Sequence, residues 1–239
     1  MVNRLPIALV VVALTAFGEM PGATANVINV TANRHVDVGD ITGSFAGANS
    51  PSTALGSFSD SVTQTLGVTS APPGEQVTAQ QNTNIQAGTG QFSGNGSGQI
   101  GFSVIDADTV FADSFFDVFF EITLPHSYSL TGSLDTNVDG GLGVANFSLS
   151  GPTTLGFAAV NNGPVSLNSS GLLLPGIYEL KVEARMDNGG STSPDSFMGG
   201  SATFDFNLSL TEEVPEPATL AIFGLGLAGL GLIRRRRTQ

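Results

Sequence analysis

Acidic residues are the side chains best placed to do chemistry in this sequence. Asp106, Asp108, Asp113, Asp117 and Glu121 fall within sixteen residues that contain no base. Asp113, Asp117 and Glu121 are evenly spaced, so a strand sets them on one face as like charges. A pair of carboxylates is the minimum for glycoside hydrolysis, but any acidic chain offers such pairs. A second group is Asp135-Thr136-Asn137-Val138-Asp139-Gly140, which matches the first six positions of a calcium loop. Oxygen ligands at alternate positions and a glycine for the sharp turn suit Ca²⁺. The twelfth position holds Asn146 instead of the bidentate glutamate. Two readings follow: Asp139-Gly140 is a hairpin turn, or Asp135, Asn137 and Asp139 hold a structural Ca²⁺. No other cofactor is expected.

The remaining reactive residue types are few. His35 and His126 lie far apart and read as surface histidines. No Gly-x-Ser-x-Gly elbow, Ser-x-x-Lys or His-Glu-x-x-His is present. The absence of cysteine excludes a disulfide scaffold, a thiolate nucleophile and a cysteine-ligated metal. No catalytic residue is assigned, and the chain reads as a non-enzyme. Tryptophan is absent and tyrosine occurs only at 128 and 178, which is a poor aromatic supply for a dedicated sugar platform. Tyr178 and most of the sixteen phenylalanines read as core. Asn-x-Ser/Thr triplets at Asn29, Asn95, Asn146, Asn168 and Asn207 read as chance in so Asn- and Ser-rich a chain.

Those residues need strands to position them. Thr203–Thr211 alternates Phe204, Phe206, Leu208 and Leu210 with polar residues, and Ile177–Met186 alternates Tyr178, Leu180, Val182, Ala184 and Met186 with charged ones. Val118, Phe120, Ile122 and Leu124 make a third apolar face; Phe119 on the wetter side suggests that both faces are partly covered. Weaker strand candidates are 27–31, 36–45, 57–66, 75–86, 90–105, 127–134, 144–150 and 153–160. Asn49-Ser50-Pro51 and Asn161-Asn162-Gly163-Pro164 read as turns between them. The glycine- and serine-rich run Gly90–Gly101 fits either a loop or strand flanks. About ten short strands with turn signals predict an all-β protein, an antiparallel β-sandwich that is jelly-roll-like, folded as one domain. A break at Ala71-Pro72-Pro73-Gly74 is the alternative division.

Both ends carry topological information. Residues 1–25 have a basic start at Arg4, an apolar run Ile7–Phe17 and Ala23-Thr24-Ala25, which reads as a signal peptide cut after Ala25 by signal peptidase. At the other end Val214-Pro215-Glu216-Pro217 precedes sixteen uncharged residues, Ala218–Ile233, and then Arg234, Arg235, Arg236 and Arg237. As a helix this run is about 24 Å long, short against a hydrocarbon core of about 30 Å. The arginines hold its end in the cytoplasm. The domains expected are therefore 1–25 signal peptide, 26–213 exported sandwich and 214–239 C-terminal transmembrane anchor.

Pro215, Glu216, Pro217, the short Gly/Leu/Ala span and the cluster Arg234 to Arg237 together resemble the PEP-CTERM sorting signal of Gram-negative bacteria. The resemblance covers Val214–Gln239. It implies recognition by exosortase, a membrane-embedded cysteine protease, with cutting near Pro-Glu-Pro. It also implies a brief stay at the inner membrane, then release to the cell surface or extracellular matrix, often in exopolysaccharide or biofilm. A structural or adhesive role follows as the expectation, with a Ca²⁺-assisted carbohydrate-binding module second and a secreted hydrolase third.

Charge supports export without nucleic acid. The chain has 20 acids and 8 bases, a net charge of −12, and its charged fraction of 12% is about half the usual share. Five bases and two acids belong to the end segments. Residues 26–213 keep Arg34, Lys181 and Arg185 against eighteen acids, a net −15. Such a body repels phosphate and anionic membrane surfaces and favours divalent cations.

Overall fold

The computed structural model describes residues 27–40, 48–65, 76–104, 110–187 and 196–213. The expected signal peptide at 1–25, the sorting segment from Val214 onward, the alternative break at 71–74, and Asp106 and Asp108 lie outside the described residues. The body spans Ala25–Glu213 as one unit.

Among the described residues twelve strands run in order: β1 Val27–Asp40, β2 Ala48–Ser52, β3 Gly56–Thr65, β4 Gln76–Gln86, β5 Gln91–Val104, β6 Val110–Ile122, β7 His126–Asp139, β8 Leu142–Ser150, β9 Leu155–Val160, β10 Val165–Leu173, β11 Gly176–Asp187 and β12 Ser196–Glu212. They form two six-stranded antiparallel sheets, with orders β2-β1-β6-β11-β8-β9 and β10-β7-β12-β5-β4-β3. The expected all-β sandwich is therefore present. The chain passes repeatedly from one sheet to the other, as jelly-roll-like wrapping requires.

The two sheets share one core because alternation places every second side chain inward. On β6 the inner set is Ala112, Ser114, Phe116, Val118, Phe120 and Ile122; on β12 it is Ala202, Phe204, Phe206, Leu208 and Leu210. Aromatic rings join the layers: Phe92 stacks on Phe120 at 4.8 Å, and Phe116 and Phe147 meet Phe206 edge-on at 5.1 and 6.0 Å. Tyr178 is fully buried, as expected, and its hydroxyl donates to Leu174 O at 2.8 Å. That bond satisfies the one polar atom burial would otherwise strand.

Three details differ from the sequence expectation. The segments 27–31 and 36–45 belong largely to one strand, β1, whose register shifts between Ile28 and Thr31. Asn29 there has φ 52°, and the bulge turns Ile28 outward while Val27 stays buried. Asn49-Ser50-Pro51 forms edge strand β2, where proline costs no inner ladder bond. Residues 165–173, not anticipated as a strand, form edge strand β10, whose outward residues break the apolar alternation. Of the two readings left open for Gly90–Gly101, strand holds from Gln91 onward, in line with the candidate 90–105. Both faces of β6 are partly covered, as expected: outward Phe111, Phe115, Asp117 and Glu121 are half-buried, and Phe119 is 43% exposed.

Candidate functional site

The outer face of the first sheet gathers most of the body's chemistry. β6, in the middle of that sheet, presents Phe111, Asp113, Phe115, Asp117, Phe119 and Glu121 along its outer side. An aromatic ring and a carboxylate thus alternate at every second residue. β1 brings Asn33, His35 and Asp37 opposite Asp117, Phe115 and Asp113. From the other side β11 brings Glu179, Lys181, Glu183 and Arg185 opposite Phe119, Asp117, Phe115 and Asp113.

The two solvent-side bases of the described body both sit here. Lys181 lies 5.5 Å over the Phe115 ring and 3.5 Å from Glu179; Arg185 lies 5.1 Å over Phe111 and 3.4 Å from Asp187. His35 stacks on Phe115 with ring centres 4.8 Å apart, and its Nε2 is 3.9 Å from Asp113 Oδ2. The rings shield the carboxylates from water, and the bases cover the rings.

Asp113 is the most perturbed acid. It is 8% exposed, and its Oδ1 has no hydrogen-bond partner. Burial pushes its carboxyl up to about 7, Glu183 and Asp37 add to this, and Arg185 opposes it. Asp117 is raised by burial and by Glu179, against Lys181. His35 is lowered by burial, with Asp37 and Glu183 pulling it back. Near neutral pH the centre of this face can therefore hold a proton on Asp113 beside a neutral imidazole. It can act as an acid or accept polar groups of a ligand. It is an open sheet face, and among the described residues no group of three or more acids and histidines is placed to hold a metal ion.

Asp113, Asp117 and Glu121 share one face, as the spacing predicted. Asp135, Asn137 and Asp139 also share the exposed side of one strand, β7, where alternate residues stand about 7 Å apart. Asn137 and Asp139 border a shallow depression with Gln99 and Ser201, and Asp135 does not. The turn after Asp139 is Gly140-Gly141, both with positive φ (81° and 85°), as the mirror-image hairpin turn requires. Of the two histidines, His35 lies on the outer sheet face, in line with a surface residue, and His126 does not. His35 is half-covered by its sheet neighbours, and His126 is fully buried where β7 begins, its Nδ1 2.7 Å from Leu124 O. The expected strand 127–134 stopped one residue short: His126 is in phase with the buried Tyr128, Leu130 and Leu134, and this turns it inward.

Sequence reasoning missed Arg34, Asp37 and Glu183. Arg34 faces inward and is 0% exposed. Its guanidinium donates to Gly56 O at 2.8 Å, to Ala54 O and to Thr83 Oγ1 at 3.4 Å, and lies 5.1 Å over the Phe58 ring. Burial lowers its pKa, yet carbonyl oxygens rather than a carboxylate hold the charge. It ties β1 to the loop entering β3, so its role is structural.

Comparison with known proteins adds one firm finding. No curated protein matches the sequence. Among solved structures, TmCBM61 in complex with beta-1,4-galactotriose is similar at 15% identity, over 54% of this chain and 75% of that one. The TM-score of 0.22 is too low to carry a fold or a ligand across. Residues 213–237 match the PEP-CTERM protein-sorting motif. That match begins at Glu213, directly after β12, and takes in Pro215, Glu216, Pro217 and Arg234 to Arg237. By this match, the chain is a β-sandwich protein that carries a PEP-CTERM protein-sorting motif at its C-terminal end.

Proposed function

We propose that this is a non-enzymatic protein of the cell surface or extracellular matrix, exported through the secretory route and processed by exosortase. The observation that carries this reading is the sorting motif at 213–237, placed immediately after the last strand of a self-contained sandwich. A folded body with a detachable tail is the arrangement such processing needs. Pro215-Glu216-Pro217 supplies the recognition element, Ala218–Ile233 the membrane segment, and Arg234 to Arg237 the cytoplasmic stop. In exopolysaccharide or biofilm the body has a structural or adhesive role; its −15 charge and the open face around β6 favour binding over turnover. Deleting Arg234 to Arg237, or replacing Glu216 by Ala, tests the sorting reading. The expected outcome is loss of release, with uncut precursor in cells by immunoblot; unchanged release overturns it.

A second reading, a Ca²⁺-assisted carbohydrate-binding module, is favoured by Asn137 and Asp139 at the border of one depression. Calorimetric titration of the body with Ca²⁺ is expected to give heat that Asp139→Ala removes. No heat from the parent protein ends this reading.

A further inference from the structure

Exposed apolar side chains are unevenly spread over the body. Nine large ones reach solvent among the described residues, and six of them, Ile28, Phe119, Leu124, Leu172, Leu174 and Ile177, gather at one end of the sandwich. Their register shows the clustering. Ile28 and Ile177 flank Glu121 from β1 and β11. Leu172 and Leu174 flank Leu173, which opposes His126 at the start of β7. Leu124 stands in the turn between β6 and β7, and Phe119 lies one outward position along from Glu121. Their exposures run from 39% for Ile28 to 66% for Ile177. Exposed apolar residues scattered singly need no explanation, whereas a group of six marks a contact surface.

Both ends of the body leave from this same end. Val27 opposes Ile122, and Glu212 opposes His126. The Glu213 amide donates to Pro125 O at 3.0 Å, fixing the last described residue beside the β6–β7 turn. Only four residues then separate Glu213 from Ala218, where the uncharged run begins. The step from 213 to 218 spans at most about 18 Å when fully extended. A bilayer holding that run therefore lies within one short tether of the apolar cluster.

We propose that this end of the sandwich rests on the bilayer interface while the tail is anchored, with Ile28, Leu124, Leu172, Leu174 and Ile177 entering the boundary between headgroups and acyl chains. The inference rests on the reading of Ala218–Ile233 as a membrane segment. Apolar burial, not charge, drives the contact. Glu121, Glu179, Glu212 and Glu213 lie at this end, and Lys181 is the nearest base among the described residues. Zwitterionic lipid is therefore preferred, and anionic lipid weakens the contact. Docking fixes the orientation of the body and keeps Val214–Pro217 at the membrane surface, where a membrane-embedded protease must reach them.

The chain has no cysteine, so single labels can be placed without background. The full chain is put into phosphatidylcholine vesicles carrying nitroxide lipid, with one fluorescent label at a time. Leu124→Cys, Leu172→Cys and Ile177→Cys report the docked end. Leu142→Cys and Val160→Cys report the opposite end, and Leu225→Cys reports insertion of the tail. The expected result is quenching at 124, 172 and 177 several-fold stronger than at 142 and 160, reduced when half the lipid is phosphatidylglycerol. A quenched label at 225 with 124, 172 and 177 no more quenched than the controls overturns the docking alone. An unquenched label at 225 overturns the membrane reading of the tail and the docking with it. Shielding at 124, 172 and 177 that rises with protein concentration, without lipid quenching, assigns this end to a second copy of the chain and also overturns the proposal.

Discussion

Asp113 shows how a single carboxyl takes its character from a sheet. Its folded value of about 7 lies above its ordinary 3.8, so the native state keeps a proton that the unfolded chain releases between these limits. Stability therefore falls as pH rises from about 4 to about 7, by up to about 4 kcal/mol, and is level above that. The groups facing Asp113 are His35 and Asp37 from β1, and Glu183 and Arg185 from β11. Asp113→Asn is expected to raise the urea midpoint at pH 8 and leave it nearly unchanged at pH 4. Equal midpoints for parent and variant at pH 8 would show that the carboxylate is well accommodated when charged. The even spacing of Asp113, Asp117 and Glu121 was legible in the sequence. Phe119 was placed on the wetter side, but Phe115 was not told from the core rings: a half-buried outer face and a core face look alike when both carry Phe. Asp37 and Glu183 reach the same centre only through pairings between strands distant in sequence, which composition and local period do not encode.

At the level of elements, strand content was legible wherever polar and apolar residues alternated cleanly, as in β11 and β12. It failed at edges. β2 contains Pro51, and β10 carries serines and an exposed Leu172, because an edge strand needs neither a full ladder nor a full apolar face. The glycines of β5 were ambiguous for a different reason. A Cβ on Gly96 would meet the Phe204 ring at 2.6 Å, and one on Gly98 would strike the Ala112 carbonyl oxygen on the opposing sheet. These glycines let β5 approach β6 closely across the core, and sequence cannot distinguish that use from a flexible loop. Gly98→Ala is expected to destabilise the fold by about 2 kcal/mol, because the obstructing atom is backbone and cannot rotate away. Gly156→Ala, whose Cβ would meet nothing within 4 Å, is expected to change the urea midpoint little. Similar losses at both positions would contradict the close-approach account.

For the whole molecule, the separation of address from cargo was the most legible feature. The tail announces itself by composition and order along the chain, which need no fold to be read. The outer face around β6 is assembled from strands distant in sequence, so its make-up stayed hidden until the sheets were known. The charge pattern follows the same division: five of eight bases lie in the end segments, and the exported body carries the acid. Four of the five bases outside the body are the consecutive Arg234 to Arg237, inside the matched sorting motif. The central claim is that the folded body is cut free of its tail. Intact mass spectrometry of the protein recovered from the cell surface or medium tests it most directly. The expected species begins at Asn26 and ends near Pro215–Pro217, without Arg234 to Arg237. A surface species that retains its sequence through Gln239 would contradict it.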